Sequence, residues 1–290
     1  MNVDKKSGEF CLEVSYPRIV DWELAYSNRR AVPDAATWLE QSARLSAEFA
    51  THFPGRLQRD VAYGGRSRER IDVFEPMGRP VGTVIFIHGG YWRASSKEAH
   101  WHFGAGVLDR GWRVAHVEYP LCPEVSIRDI TESIGRAVEY LVKLIPEEPM
   151  ILAGHSAGGH LATWIASDRG GLKSSTCARI SRVVSLSGLH DLRPLVHAQE
   201  LNADLRLDQD EAQRLSPALT RPAGSFDLIC LAGSEELSEF RRQNMLQANL
   251  WSGLGLIAKS LEVRGANHYT LLDHLRDRAS PMVNLIVDSF

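Results

Sequence analysis

Disulfide chemistry has little to work with in this sequence. Only four cysteines occur in 290 residues, Cys11, Cys122, Cys177 and Cys230, widely spaced and without a CxxC pair. That excludes a disulfide-stapled miniprotein and points to a reducing compartment, with Cys230 read as a buried thiol in the apolar run Leu228–Leu231. No apolar stretch approaches the ~18 residues a transmembrane helix needs. The opening MNVDKKSGEF has no apolar h-region, so no signal peptide is read and the expected location is cytoplasmic. Neither sign of charge dominates. Lys plus Arg is 33 and Asp plus Glu is 36, a net charge of −3, so no bulk attraction for nucleic acid or an anionic membrane is expected. The local exception is Arg56–Arg70, with five arginines against Asp60 and Glu69, which reads as a solvated strand pair.

Signature motifs of several enzyme classes are also missing. There is no HExxH, no P-loop and no GxGxxG following a strand. His100 and His102 sit in a Trp/His-rich helical stretch with no adjacent acidic partner, and His155 and His160 are five residues apart, off a common helix face. No metal and no cofactor are therefore expected.

What is present is an alternation. Hydrophobic residues make up 44% of the chain and charged residues 24%, ordinary for a globular protein large enough to bury a core without staples. Residues 35–49 place Trp38, Leu39, Leu45 and Phe49 at helical spacing, after a start signal at Pro33-Asp34 and before a stop at Pro54-Gly55. Short apolar runs follow at 70–76, 83–87, 113–117, 150–153, 183–186, 228–232 and 257–263, separated by helical patterns at 96–109, 126–145, 157–167 and 236–250. This predicts an α/β fold with a mostly parallel central sheet, helices on both faces and a small cap. One domain over residues 1–290 is expected, with 1–55 as an N-terminal helical cap segment and 189–220 as a cap insertion over the sheet edge. In such sheets function sits at the carboxyl ends of the strands, and here those ends carry the unusual residues.

Gly154-His155-Ser156-Ala157-Gly158 follows an apolar strand and opens a helix. A sharp strand-to-helix turn needs glycine on both sides of a strained residue and leaves the serine hydroxyl exposed above the sheet. A serine is a poor nucleophile near neutral pH and needs a base. His268, after the last predicted strand and the loop Gly265-Ala266-Asn267, is the candidate. A base of this kind needs an acid to fix its tautomer, and Gly233-Ser234-Glu235-Glu236 follows the preceding strand. The chain order serine, acid, histidine is that of α/β-hydrolases. His88-Gly89-Gly90-Tyr91-Trp92, after an early strand, matches an oxyanion loop, and Ala157 supplies a further N–H at a helix N-terminus. Removing one such donor typically costs about 2.7–4 kcal/mol of barrier.

HGGYW at 88–92, GHSAGGHLA beginning at Gly154, SGLHDLRPL at 187–195, YPLCPEV at 119–125, SEFRRQ at 238–243, GANHY at 265–269 and YSNRRAVPD at 26–34 together resemble the kynurenine formamidase (arylformamidase) family of α/β-hydrolases. The resemblance implies Ser156 as nucleophile, His268 as base and Gly89, Gly90 and Tyr91 as oxyanion loop. The family's acid position maps to Glu236, where the family usually has Asp, with Glu235 as the alternative. It implies hydrolysis of an N-formyl arylamine, N-formylkynurenine-like, to formate and the free amine. Tyr91, Trp92, Tyr26 and His155 are expected to line the substrate pocket, although Trp92 reads equally well as packing that stiffens the loop. The expected partner is a small aryl amide or ester, and the resemblance implies a homodimer. The residues leave a broad carboxylesterase open, since esters and amides pass through similar tetrahedral species. A binding protein without turnover is disfavoured by the intact serine, acid and histidine.

Overall fold

The apolar runs pair side by side. In the computed structural model, which describes residues 18–145 and 148–288, eight strands form one sheet. They are β1 (Leu57–Ala62), β2 (Arg70–Phe74), β3 (Thr83–Ile87), β4 (Arg113–Val117), β5 (Met150–His155), β6 (Ile180–Leu186), β7 (Asp227–Gly233) and β8 (Ala258–Val263). Their spatial order is β1-β2-β4-β3-β5-β6-β7-β8. The β1–β2 and β2–β4 pairs are antiparallel and all later pairs are parallel. This is the α/β-hydrolase arrangement. The arginine-rich segment 56–70 forms β1 and its connection to β2, in agreement with the solvated strand pair read from the sequence.

The helices are α1 (Trp22–Ala25), α2 (Asn28–Ala31), α3 (Ala35–Ala50), α4 (Ala105–Leu108), α5 (Ile127–Leu144), α6 (Ala157–Ile165), α7 (Ser174–Cys177), α8 (Gln199–Leu205), α9 (Gln209–Arg214), α10 (Ser238–Ser252) and α11 (Pro281–Val287). Alternate residues of each central strand serve opposite faces, as a pleated strand requires. Ile85 and Ile87 of β3 pack with Ile130, Ile134 and Val138 of α5, Leu161 of α6 and Phe240 of α10. Val84 and Phe86 of the same strand pack with Val107 of α4, Val283 of α11 and, alongside, Trp38 and Phe49 of α3. Helix α5 starts at a capping box, Ser126 with Asp129, which satisfies two otherwise orphan donors.

Three expectations shift. The helical pattern at 96–109 folds as a 3-10 turn, Glu98–Gly104, followed by the short α4. Helix α10 begins at Ser238, because Glu236 turns back and its N–H donates to the Gly233 carbonyl. The segment 189–220 lies over the carboxyl ends of the strands rather than beside an outer strand: its Ala198, Glu200 and Leu201 line one cavity with Ser156. It leaves β6, which is interior between β5 and β7, and folds as 3-10 turns at Arg193–His197 and Pro217–Leu219 around α8 and α9. It packs against α1, α6 and α10. Cys122, Cys177 and Cys230 are free and buried, whereas Cys11 lies outside the described residues, as does the start of the expected cap segment 1–55. No helix among the described residues is long and apolar enough to cross a membrane.

The turn from β5 to α6 is the tightest point of the fold. A Cβ on Gly154 would stand 2.1 Å from the Gly158 carbonyl oxygen, and one on Gly158 would stand 2.0 Å from the Ile87 carbonyl oxygen. Neither neighbour is a flexible side chain, so the backbone itself would have to move. Gly158→Ala is therefore expected to lower unfolding stability by about 1–3 kcal/mol or more, read as a lower urea midpoint, and a midpoint equal to wild type would contradict this packing.

Candidate active site

Ser156 stands between β5 and α6 with φ 55 and ψ −118. A non-glycine residue held at positive φ is strained and persists only where its surroundings enforce it. Here the glycines on both sides allow the approach, and the Ser156 N–H is fixed by donating to the Leu186 carbonyl at 2.8 Å. Ser156 is buried by the fold yet lines a cavity of about 430 Å³ together with His268, Gly89, Gly90, Tyr91, His155 and Tyr26.

His268 reaches this cavity on the loop after β8. Its Nδ1 lies 2.8 Å from Glu236 Oε2. The other carboxylate oxygen of Glu236 accepts from Ser187 Oγ at 2.5 Å and from the Gly233 N–H at 2.7 Å. A carboxylate accepts and does not donate, so Nδ1 carries the hydrogen and Nε2 is the nitrogen left with a lone pair. Glu235 does not reach His268: it is exposed, and among the described residues its side chain accepts from Ser234 alone. Adjacent residues leaving a strand diverge, and the turn that ties the Glu236 N–H to Gly233 aims the second glutamate inward. Ser187, at φ 53 just after β6, was not read as a site residue; its signals in the sequence are a polar residue directly after an apolar run and its place at the start of the matched segment 187–195.

His155 packs beside His268 with ring centroids 4.6 Å apart, and its Nε2–H donates to the His268 carbonyl at 2.9 Å. Burial, with the neighbouring His268 next, holds the His155 imidazole well below its ordinary range. It is thus a neutral support for the His268 backbone.

The segment 88–92 forms the opposite wall. A Cβ on Gly89 would lie 2.9 Å from the His155 carbonyl and 3.1 Å from Ser156 Cβ, so this backbone runs directly against the serine. Gly90 adopts φ 108, and Tyr91 and Trp92 adopt φ 51 and 57. Ala157 is the first residue of α6, where an N–H has no intrahelical partner and the helix dipole favours negative charge. The loop is anchored from beneath. The His88 ring stacks on Tyr119 at 4.2 Å, its Nε2 lies 3.0 Å from Glu118, and Tyr119 donates its hydroxyl to the His88 carbonyl at 2.9 Å. Burial alone would raise the Glu118 carboxyl. His88, the Arg68 charge and the Lys97 N–H outweigh it and hold Glu118 below the ordinary 4.5.

Tyr26 and Tyr91 meet in the cavity wall, the Tyr91 hydroxyl donating to the Tyr26 carbonyl and the Tyr26 hydroxyl to Glu239 at 2.8 Å. Burial pushes both phenols far up, so both stay neutral donors. Trp92 does not line the cavity. It is 0% exposed and its Nε1 donates to His160 Nδ1 at 3.3 Å, so it is a packing residue; its positive φ turns the indole into the core beneath the loop. Trp38, His100 and Tyr269 line the cavity without having been read from the sequence, because only the fold brings α3, the 98–104 turn and the last loop together. Among the described residues, the one carboxylate group close enough to hold a metal, Asp60, Asp72 and Glu98, already surrounds Lys97 Nζ, at 2.9 Å from Asp60 and 2.8 Å from Asp72.

With this geometry in view, residues 71–221 match the BD-FAE family model. The chain belongs to the BD-FAE family. Along most of its length this BD-FAE member also resembles kynurenine formamidases. It is 26% identical to the kynurenine formamidase of Danio rerio, covering 91% of this chain and 94% of the relative. It is 24% identical to that of Drosophila melanogaster, covering 72% and 74%. A solved structure from Silicibacter sp. TM1040, provisionally described as a thioesterase, superposes with a TM-score of 0.87 at 33% identity, covering 92% of this chain and 98% of that one. The protein is an α/β-hydrolase acting on amide or ester bonds.

Two outcomes are expected from this geometry. Glu236→Gln should lower kcat by roughly 10⁴-fold, the scale seen when a triad acid is neutralised, while Glu235→Gln should leave it within about twofold; the reverse ranking in steady-state assays would move the acid to Glu235. Glu118, with its folded pKa depressed, contributes stability that is fully present above the ordinary 4.5 and is lost as pH falls through the lowered folded value. The unfolding advantage of wild type over Glu118→Gln should hold at neutral pH and shrink below 4.5, and an advantage that grows on acidification would contradict the assignment.

Proposed function

We propose that this chain is a serine hydrolase that removes the formyl group from an N-formyl arylamine, N-formylkynurenine-like, releasing formate and the free amine. The single observation that carries the reading is the Glu236–His268 pair at 2.8 Å sharing one cavity with Ser156 at its strained turn. The aromatic walls from Tyr26, Trp38, Tyr91 and Tyr269 suit an aryl group, and the volume of about 430 Å³ suits a small molecule. The kynurenine formamidase relatives support the formamide side of the proposal.

In this mechanism Ser156 Oγ attacks the formyl carbon while His268 Nε2 takes its proton. The oxyanion that forms is received by the N–H groups of Ala157 and of the Gly89–Tyr91 loop. An arylamide anion is a poor leaving group, so the imidazolium returns the proton to the departing nitrogen as the C–N bond breaks. Water then attacks the formyl ester, gives its proton to His268, and formate leaves with Ser156 restored. Glu236 stabilises the charged imidazole at both steps without moving a proton itself. The catalytic unit is built from side chains and backbone N–H groups, so dialysis against EDTA is expected to leave the rate unchanged.

A second reading, an esterase or thioesterase, is favoured by the description of the Silicibacter structure. One substrate panel separates them: the N-formyl, N-acetyl and ester derivatives of a single aryl core. The formamide should show the highest kcat/KM. Hydrolysis of the ester with none of the formamide would replace the first reading with the second. Ser156→Ala should keep the fold and lose at least about 10⁴-fold in kcat, and a serine-reactive phosphonate should label Ser156 in wild type. Full turnover in Ser156→Ala would overturn both readings.

A further inference from the structure

Ser156 is not the only strained serine of the site. Ser187 follows β6 at φ 53 and is 0% exposed. Glycine adopts such a φ readily and serine does not, and a strained residue persists only where its surroundings hold it. Here they hold it from both sides. The Ser187 N–H donates to the Leu231 carbonyl of β7 at 2.6 Å. Downstream, Gln243 Oε1 of α10 accepts from the N–H groups of His190 and Asp191 at 2.6 and 2.8 Å, and Asn244 donates to the Gly188 carbonyl at 3.5 Å. What glycine would lack at this position is the hydroxyl, and that hydroxyl donates to Glu236 Oε1 at 2.5 Å. The same oxygen accepts from the Gly233 N–H at 2.7 Å, while Oε2 faces His268 Nδ1 at 2.8 Å. One carboxylate oxygen thus takes two donors from the scaffold and the other serves the imidazole. Donors to an ionised carboxylate stabilise and spread its charge, so less of it is left to hold a proton on a neighbouring base. The other groups around His268 are neutral or engaged. Burial keeps His155 of β5 uncharged, and keeps the phenols of Tyr91 and Tyr269 protonated. On α10, Phe240 packs edge-on against the ring at 4.8 Å, Glu239 is ion-paired with Arg242, and Arg241 with Glu262. Glu235 is exposed.

We propose that Ser187 is a positioning residue of the serine mechanism: its hydroxyl draws the charge of Glu236 away from His268, so that the imidazole is free to accept the Ser156 proton at a lower pH than it would be beside a carboxylate without that donor. This rests on the serine-hydrolase reading for the role of His268, and not on the choice between formamide and ester. Ser187 touches neither substrate nor Ser156 in this scheme. It acts through Glu236, and its left-handed backbone is what turns the hydroxyl from the end of β6 toward the carboxylate after β7.

The test reads His268 directly and needs no substrate. The ring is titrated by NMR in wild type, Ser187→Ala and Ser187→Gly, with ¹³C at the histidine Cε1 positions and the His268 signal assigned by its loss in His268→Gln. In parallel, the rate at which a serine-reactive phosphonate labels Ser156 is followed against pH. Both variants should move the midpoint of the ring titration, and with it the half-maximal pH of labelling, upward by roughly 0.5–1 pH unit. On the acid limb this is a loss of roughly three- to tenfold in labelling rate. Ser187→Gly should keep a urea midpoint at or above that of Ser187→Ala, because glycine suits φ 53. A residue that only held the chain in place would change the urea midpoint and leave the ring titration where it is. A wild-type ring midpoint in both variants, a shift in Ser187→Ala that is absent in Ser187→Gly, or loss of the folded state in Ser187→Gly would overturn the proposal. Failure of the serine reading gives a different pattern: the ring midpoint still moves while Ser156 is labelled in none of the three proteins.

Discussion

The contact on which the rest of the site depends is the approach of the α6 N-terminus to the end of β3. Gly158 lies so close to the Ile87 carbonyl that only a missing side chain permits it. That approach forces Ser156 into its left-handed backbone, which projects the hydroxyl out of the strand–helix turn. It also sets the first N–H of α6 beside the chain leaving β3, which is the Gly89–Tyr91 segment. One steric constraint therefore places Ser156 and the backbone N–H groups proposed to receive an oxyanion at the same point. Because these donors are backbone groups held by a packed sheet, they need no reorganisation when charge develops, and such preorganised groups are worth more in a partly enclosed site than in water.

Glu236 and His268, the proposed acid and base, form a second unit, tied to the first through the sheet. Glu236 is fixed by three donors from three different strand ends: Gly233 after β7, Ser187 after β6 and His268 after β8. A carboxylate with its lone pairs so occupied has little freedom to swing, and the His268 ring inherits that order. His155 adds a brace from the strand that carries Ser156, holding the His268 carbonyl from below. The turn at 233–236, closed by the Glu236 N–H on the Gly233 carbonyl, sets the direction of this side chain before α10 begins.

The cavity is completed by chain that does not belong to the sheet. The short helices α1 and α2 and the segment after β6 close over Ser156, and they bring the charged groups of the wall: Glu23, Arg29 and Glu200. The core around them is apolar. The Tyr26 hydroxyl is held by Glu239 and Gln243 and its carbonyl accepts from the Tyr91 hydroxyl, so the N-terminal helices are latched to α10 and to the 88–92 segment through one residue.

The sequence by itself determined the sheet and the turns at its strand ends. Short runs such as Thr83–Ile87 and Arg113–Val117 match their strands because a strand buried on both faces is mostly apolar and ends where polar turn residues begin. Gly-x-Ser-x-Gly was legible for a related reason: the glycines answer a local steric demand, and local demands leave local marks. Tertiary structure decided what depends on direction and distance in space. Glu236 and Glu235 are chemically equal in sequence, and only the turn at Gly233 chooses between them. Trp92 was as consistent with a pocket as with a core, and only its backbone conformation sends the indole inward onto His160. Ser187 and Tyr269 lie in matched segments that do not say which way a side chain faces, and Trp38 in a helical pattern; their places come from surfaces that meet only once α3 and the strand ends are folded together.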